Sequence, residues 1–170
     1  MDTTVVVVME TSMGDITIEL NAAKAPITVK NFLGYVDDGF YDGTIFHRVM
    51  PTFMIQGGGM EPGMKEKQTK PTIKNESFNA LQNKRGTIAM ARTSAPDSAS
   101  SQFFINVTDN GFLDKAQAQD RVGYCVFGKV IDGMDIVDKI RVVRTTTRGH
   151  HENVPVDDVI IKSIRRVEKE

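Results

Sequence analysis

Residues 46–59 have the sequence FHRVMPTFMIQGGG, and this stretch decides how the rest of the chain is interpreted. It sets one permanent cation, Arg48, and one amide, Gln56, among large apolar side chains and then breaks into three glycines. Residues 44–48 and 53–56 are predicted to form two strands, separated by a turn around Pro51. Such a mixture is rare in so short a stretch of a folded protein unless its side chains line a common surface.

Further strands are predicted on both sides of this pair. Residues 5–8 are typical of a buried strand, and residues 15–20 alternate apolar and polar side chains like a half-buried one. The other predicted strands cover residues 87–91, 102–107, 123–130 and 159–167. One helix is predicted from Pro26 to near Gly39, and a shorter one contains Met134, Val137 and Ile140. Many short strands with two helices indicate a mainly β fold, a closed antiparallel barrel.

Composition limits the classes of protein that fit the chain. Its 170 residues suit a single domain, residues 1–170, with one core. The 21 basic and 22 acidic side chains nearly cancel, so charge gives no case for nucleic acid or an anionic membrane as a partner. No run approaches the roughly 20 apolar residues of a membrane helix, and the first ten residues lack a signal peptide's pattern. We therefore expect a cytoplasmic protein, and a monomer, because no heptad repeat favours assembly.

The strand at residues 102–107 has two different faces, because side chains alternate along a strand. The core face contains Phe103, Ile105 and Val107. The opposite face contains Gln102, Phe104 and Asn106. A large aromatic on a polar face suggests a binding surface. The alternative, an exposed or loop-covered aromatic, is common and is slightly favoured by this strand alone.

The same alternation places Phe46 and Arg48 on one face of their strand and His47 on the other. An isolated Arg is most often a surface cation that lies over an apolar wall. Arg48, however, is followed by Phe53, Met54 and Gln56. A functional role for Arg48 is therefore as reasonable as a surface role. His47 is expected to be a buried, hydrogen-bonded structural histidine rather than a base.

Other polar features have plainer interpretations. His150 and His151 are expected to be solvated loop residues, and the histidines do not have the spacing of a metal site. The serine-rich segment 93–101 lacks a nucleophile motif, so turn-forming serines are expected. Cys125, the single cysteine, is expected to be a small buried hydrophobe. The long segment 57–85 has little periodicity, and a loop of that length is usually functional.

Several motifs in order resemble the signature of the cyclophilins, the cyclosporin-binding family of peptidyl-prolyl isomerases. They are FHR at 46–48 with Pro51, FMIQGG at 53–58, MAR at 90–92, SQFFI at 101–105, FLD at 112–114 and VFG at 126–128. The resemblance extends from about residue 5 to residue 167. It implies a closed eight-stranded antiparallel β-barrel with two capping α-helices.

The resemblance also implies a set of site residues. The family's catalytic arginine corresponds to Arg48. Its proline-pocket residues correspond to Phe53, Met54, Phe104 and Leu113. Its substrate-contacting glutamines correspond to Gln56 and Gln102. Its backbone contacts with the substrate correspond to Ala91 and Arg92. Its pocket tryptophan and pocket histidine are replaced by Phe112 and Tyr124.

These departures are similar to the bacterial cytosolic type of the family. Phe112 has no indole N–H, and the chain contains no Trp, so only weak cyclosporin binding is expected. The family's Ala-Asn-Ala is Ala91-Arg92-Thr93 here, and the loop that leads to Gln102 is slightly longer.

The implied activity is rotation about X-Pro peptide bonds, which assists protein folding, with no metal or cofactor. The implied partners are proline-containing peptides and unfolded or folding proteins. A second hypothesis is a proline-peptide binding module or a chaperone-like scaffold with little turnover. Arg48 discriminates between them, because a pure binder has no need of a cation at the twisting nitrogen. A third hypothesis, a hydrolase that uses the serine-rich segment, lacks a base and a group to orient it.

Overall fold

The structure is a computed structural model, and it describes residues 4–167. The strands are β1 Thr4–Thr11, β2 Gly14–Asn21, β3 Thr44–Met50, β4 Met54–Gly57, β5 Met60–Glu61, β6 Lys65–Glu66, β7 Thr87–Met90, β8 Phe103–Asn106, β9 Val126–Asp132, β10 Thr145–Arg148, β11 His151–Pro155 and β12 Ile160–Arg166. The helices are α1 Pro26–Asp37 and α2 Met134–Arg141, with short 3-10 turns at Ser77–Asn79 and Gly111–Leu113.

Eight of the strands close into a barrel in the order β1-β12-β3-β4-β8-β7-β9-β2. Every neighbouring pair in this barrel is antiparallel. These are the eight segments that the sequence predicts to be strands, so the predicted fold class is confirmed. Closure leaves the barrel without an unpaired edge strand.

Alternation along the strands fills the interior of the barrel with side chains. Ile16, Ile18 and Leu20 of β2 are completely buried, while the residues between them are partly exposed. Met9 of β1 pairs with Ile16, and both side chains belong to the interior cluster. A core filled in this way leaves no central channel, so a binding site has to lie on the outside.

Both helices bury one apolar face in the same core. Pro26 begins α1, where its fixed φ suits the first turn. The ring of Phe32 lies 5.7 Å from that of Phe103 and 5.3 Å from that of Phe127, which are interior residues of β8 and β9. Val137 of α2 is completely buried in the same cluster. Neither helix of residues 4–167 is long and apolar enough to cross a membrane.

Two small hairpins were not predicted from the sequence. β5 pairs with β6 inside the segment 57–85, and β10 pairs with β11 after α2. His151 begins β11 and is half-buried, so the prediction that it is a solvated loop residue is wrong, whereas His150 is exposed. β11 packs against β3 outside the barrel.

Strand β3 contains a bulge that changes the direction of its side chains. Phe46 pairs with Gly57 and Arg48 pairs with Gln56, so His47 is an extra residue in the register. Phe46 is completely buried inside the barrel, whereas Arg48 is exposed. The prediction that these two side chains share a face is therefore wrong, because it assumed a regular strand. The bulge directs Arg48 to the outer face, opposite Gln56.

Candidate active site

A pocket of about 140 Å³ lies on the outer face of the barrel, over β3, β4, β8 and β7. Its lining residues are Arg48, Phe53, Met54, Gln56, Ala91, Arg92, Phe104, Leu113 and Tyr124. All the predicted site residues except Gln102 and Phe112 line this pocket. A dry cavity of about 150 Å³ can accommodate a benzene molecule, so the pocket is suited to one small ring.

The floor of the pocket is a second apolar cluster, separate from the interior core. It contains the buried side chains of Met54, Phe104 and Leu113, with Phe53 and Tyr124 packed against it. Phe104 belongs to this outer cluster and not to the interior one, as the alternation in β8 predicts. It is only 4% exposed and forms part of the pocket wall, which agrees with the binding-surface interpretation.

Polar side chains form a row along one edge of the floor. Gln56 Nε2 donates a hydrogen bond to Gln102 Oε1 at 2.9 Å, and Arg48 Nη1 lies 3.5 Å from Gln56 Oε1. The Arg48 guanidinium carbon is 6.0 Å from the centre of the Phe53 ring. No carboxylate of residues 4–167 forms an ion pair with Arg48. The row therefore presents a positive charge that is not neutralised at the rim of an apolar pocket.

The two predicted residues outside the lining are adjacent to it. Gln102 contacts the pocket through Gln56, and its side chain lies against Gly59, where an added Cβ would be 2.6 Å from Gln102 Cγ. Phe112 is 57% exposed, and its ring stacks on Phe53 with the ring centres 5.7 Å apart. Phe112 thus extends the apolar wall outward from the pocket.

Arg92 has a different environment from Arg48. Its side chain is only 2% exposed, and Nη2 lies 2.6 Å from Asp120 Oδ2. The guanidinium also donates to the carbonyl oxygens of Gly123 and Thr93. It lies 4.3 Å from the centre of the Tyr124 ring. Hydrogen bonds from Arg92, then from two backbone amides, hold the pKa of Asp120 at about 2.

A network of buried amides behind the pocket was not found from the sequence. Asn106 donates to Asn83 at 3.1 Å and to Thr87 at 2.9 Å, and it accepts from Asn110 at 2.8 Å. Asn110 in turn donates to the carbonyl oxygen of Phe53 at 2.9 Å. The only sequence signal was the placement of Asn106 on the pocket face, since its partners are distant in the sequence. The network fixes the backbone that carries Phe53.

His47 is buried, as predicted, between β3 and the hairpin that covers it. Burial, followed by the nearby charges of His151 and Arg48, lowers its pKa from 6.5 to about 4. Its Nδ1 atom is buried and has no hydrogen-bond partner among the described residues, which disagrees with the expected hydrogen bonding at that atom. His47 is therefore neutral at physiological pH.

The remaining chemical candidates are structural. Ser98 Oγ donates to the Ala95 carbonyl oxygen at 2.7 Å and accepts from the Thr93 amide at 2.9 Å, which confirms a turn-forming serine. Cys125 is 3% exposed, so it is the small buried side chain that was expected, and burial raises its pKa to about 11, which makes the thiol unreactive. Within residues 4–167, no group of three His, Cys, Asp or Glu side chains could hold a metal ion.

A family model described as "Cyclophilin type peptidyl-prolyl cis-trans isomerase/CLD" matches residues 6–166. The chain belongs to the cyclophilins. Peptidyl-prolyl cis-trans isomerase B of Escherichia coli (strain K12) is 59% identical over 159 residues, which are 93% of this chain and 97% of the relative. A peptidyl-prolyl cis-trans isomerase of Acinetobacter baylyi is 61% identical over 157 residues, which are 92% of this chain and 82% of that one. The predicted isomerase activity is confirmed.

A solved cyclophilin agrees with the fold over nearly the whole length. It is a cyclophilin type peptidyl-prolyl cis-trans isomerase of Cryptosporidium parvum, crystallised in the presence of the dipeptide Ala-Pro. The TM-score is 0.80 at 30% identity, and the match covers 96% of this chain and 99% of the other. The cyclophilin barrel described above is thus the known fold of the family.

Proposed function

We propose that Arg48 is the catalytic residue of this isomerase and that the outer-face pocket holds the prolyl ring of the substrate. The observation that carries this proposal is a guanidinium without an ion-pair partner among the described residues, at the rim of an apolar pocket of about 140 Å³. Arginine is always protonated and is only a donor, so its charge is available at every pH at which the protein is folded.

Rotation about the X-Pro bond is accelerated by a hydrogen-bond donor that stabilises the transition state more than the ground state. An X-Pro amide is planar through resonance, and rotation costs about 18–20 kcal/mol. When the bond twists, the prolyl nitrogen regains a lone pair and becomes a hydrogen-bond acceptor. A guanidinium near that nitrogen stabilises the twisted form selectively, because the planar amide nitrogen offers no comparable lone pair.

The other side chains supply binding and orientation. Met54, Phe104 and Leu113 provide a desolvated floor for the pyrrolidine ring. Gln56 lies between Arg48 and Gln102, so it can hold either the substrate carbonyl or the guanidinium fork. Holding the ring while the carbonyl side rotates reduces the catalytic task to charge stabilisation.

The substrates that fit this site are proline-containing peptides and unfolded or folding polypeptides, in the cytoplasm. The Ala-Pro dipeptide used with the related structure supports a proline ligand. The site also suits cyclosporin, bound weakly, because Phe112 offers an apolar ring without an indole donor.

The proposal is tested with Arg48→Ala in a prolyl-isomerisation assay on a short X-Pro peptide. We expect kcat/KM to fall by more than about tenfold, through kcat, because the substitution removes transition-state stabilisation. Arg48 is exposed, so the melting temperature should change little. The matched control is Arg165→Ala, which removes an exposed cation on β12, away from the pocket.

Arg48→Lys distinguishes the contribution of the positive charge to the rate from that of the planar guanidinium group. Lysine keeps the charge but loses the planar fork, so we expect an intermediate rate. A folded Arg48→Ala protein that isomerises at the wild-type rate would remove Arg48 from the mechanism. Peptide binding with negligible turnover by the wild-type protein would instead favour a proline-binding module.

A further inference from the structure

The loop of residues 114–123 joins two residues of the pocket wall, Leu113 and Tyr124. Its two ends are held together, since the Tyr124 amide donates to the Leu113 carbonyl oxygen at 2.9 Å. The two ends of the loop are closely packed, because a Cβ on Gly123 would lie 2.8 Å from the Leu113 carbonyl oxygen. Whatever fixes the conformation of this loop therefore fixes one wall of the pocket.

Asp120 binds both the loop and Arg92. Its Oδ1 accepts from the amides of Val122 at 3.0 Å and Gly123 at 3.1 Å, which closes a turn inside the loop. The turn includes Arg121 at φ +61°, a conformation that costs energy for a residue other than glycine. Its Oδ2 accepts from Arg92 Nη2 at 2.6 Å. One carboxylate thus joins a strained turn to a buried guanidinium.

Arg92 transmits this contact to the pocket. All three of its guanidinium nitrogens donate to oxygens of the protein, so these bonds hold the guanidinium in one position. Its guanidinium carbon lies over the Tyr124 ring, 4.3 Å from the ring centre, and that ring meets Phe104 edge to face at 5.8 Å. A cation that is 2% exposed needs its counter-charge, because unpaired burial is costly.

We propose that Asp120 is a positioning residue of the isomerase site, which holds the Arg92 guanidinium over the Tyr124 ring and so fixes the wall that receives the prolyl ring. The inference rests on the proposed substrate pocket. It gives Arg92 a role through its side chain, in addition to the backbone contact implied by the family resemblance. Asp120 itself is 43% exposed and does not line the pocket.

The experiment compares Asp120→Asn with Asp157→Asn in steady-state isomerisation of an X-Pro peptide. An amide oxygen can face either the turn or Arg92 but cannot replace both carboxylate oxygens. Since the wall contacts the ring in the ground state and the transition state alike, KM should rise about fivefold while kcat stays within about twofold. Asp157 is exposed, so Asp157→Asn changes the net charge equally and should leave both parameters unchanged.

A second variant tests whether Asp120 acts through Arg92. Arg92→Lys keeps the charge but cannot reach Asp120 and Gly123 together, so it should raise KM by a similar factor. The double variant should then have nearly the KM of either single variant, because coupled residues are not additive. Asp120→Glu, which restores the charge, should recover part of the loss.

Three results would overturn the proposal. One is a KM for Asp120→Asn equal to that of Asp157→Asn. Another is a loss in kcat at constant KM, and the third is fully additive effects in the double variant. If Asp120→Asn does not fold, the proposal is tested with Arg92→Lys alone. That variant should raise KM and leave kcat nearly unchanged, and a loss in kcat at constant KM would overturn the proposal. A failure of the underlying site would look different, since Arg48→Ala would then leave kcat unchanged.

Discussion

At the residue scale, the pocket contains two arginines with opposite electrostatic situations. Arg48 is exposed and its guanidinium lies 3.5 Å from Gln56 Oε1, whereas the side chain of Arg92 is 2% exposed and paired with Asp120 at 2.6 Å. A guanidinium that is already neutralised cannot respond to a lone pair that appears on the substrate. The pairing of Arg92 therefore leaves Arg48 as the cation that can serve the twisting bond.

Phe112 is the residue that we expect to limit cyclosporin affinity. Its ring is 57% exposed and stacks on Phe53, so a larger ring can replace it without repacking the core. Phe112→Trp adds an indole N–H donor on the apolar wall, and we predict about tenfold tighter cyclosporin binding, the effect of roughly one hydrogen bond.

Isothermal titration of both proteins with cyclosporin measures this effect. Phe78→Trp serves as the control, since Phe78 is 63% exposed and lies outside the pocket. An unchanged or weaker affinity in Phe112→Trp would show that another position determines cyclosporin binding.

At the element scale, Gly59, which lies between β4 and β5, sets the position of the Gln102 side chain. Gly59 has no room for a side chain, because an added Cβ would lie 2.6 Å from both Cγ and Nε2 of Gln102. We predict that Gly59→Ala displaces Gln102, breaks its 2.9 Å hydrogen bond with Gln56 and lowers kcat/KM about fivefold.

Stability should respond less than activity to this change, since φ of Gly59 is not in the left-handed region and the displaced side chain is half-buried. Gly63→Ala is the contrasting variant, because open space surrounds Gly63 but its φ is +85°. It should reduce stability and leave kcat/KM unchanged. Equal rates for Gly59→Ala and the wild type would mean that Gln102 is not needed in its present position.

The elements that sequence patterns predict are those with a buried face. Eight strands and two helices follow from runs or periods of their apolar residues, because one side of each packs into the core. The hairpins β5–β6 and β10–β11 are short and largely polar, so no such period marks them. The bulge at His47 also escapes prediction, since alternation assumes a regular strand.

The contacts that support the site from distant parts of the sequence could not be predicted. The motifs located the lining of the pocket because most of its residues lie in matched segments. Asp120 meets Arg92 across 28 positions, and Asn110 reaches the carbonyl oxygen of Phe53 across 57. Nothing in either local sequence specifies such a partner, so these supporting contacts required the structure.

At the scale of the whole molecule, catalysis and stability should depend on pH in different ways. An arginine side chain stays protonated wherever proteins are folded, and the proposed step transfers no proton, so we predict a nearly flat kcat/KM from about pH 6 to pH 9. The buried His47 should nevertheless make folding sensitive to acid. Its pKa is about 4 in the folded protein and ordinarily 6.5, so the unfolded chain binds a proton more readily.

The sign of the stability effect follows from this difference. The contribution of neutral His47 to the free energy of unfolding is fully present above pH 6.5 and is lost progressively as the pH falls toward 4. Complete protonation corresponds to a loss of roughly 3 kcal/mol. Urea unfolding at a series of pH values measures the loss, with the isomerisation rate followed in the same buffers. His47→Gln should flatten the stability curve, and His150→Gln, at an exposed position, should not.

Two outcomes would contradict this account. If the wild type and His47→Gln lose stability equally between pH 6.5 and 4, His47 is not the acid-sensitive group. If kcat/KM shows an inflection near neutral pH that disappears in a folded His47→Gln protein, a proton-linked group assists catalysis. His47 directly precedes Arg48 in the strand, and its charge would oppose the guanidinium, which makes it the group best placed to produce such an inflection. Its burial under β11 is the physical reason to expect none above pH 6.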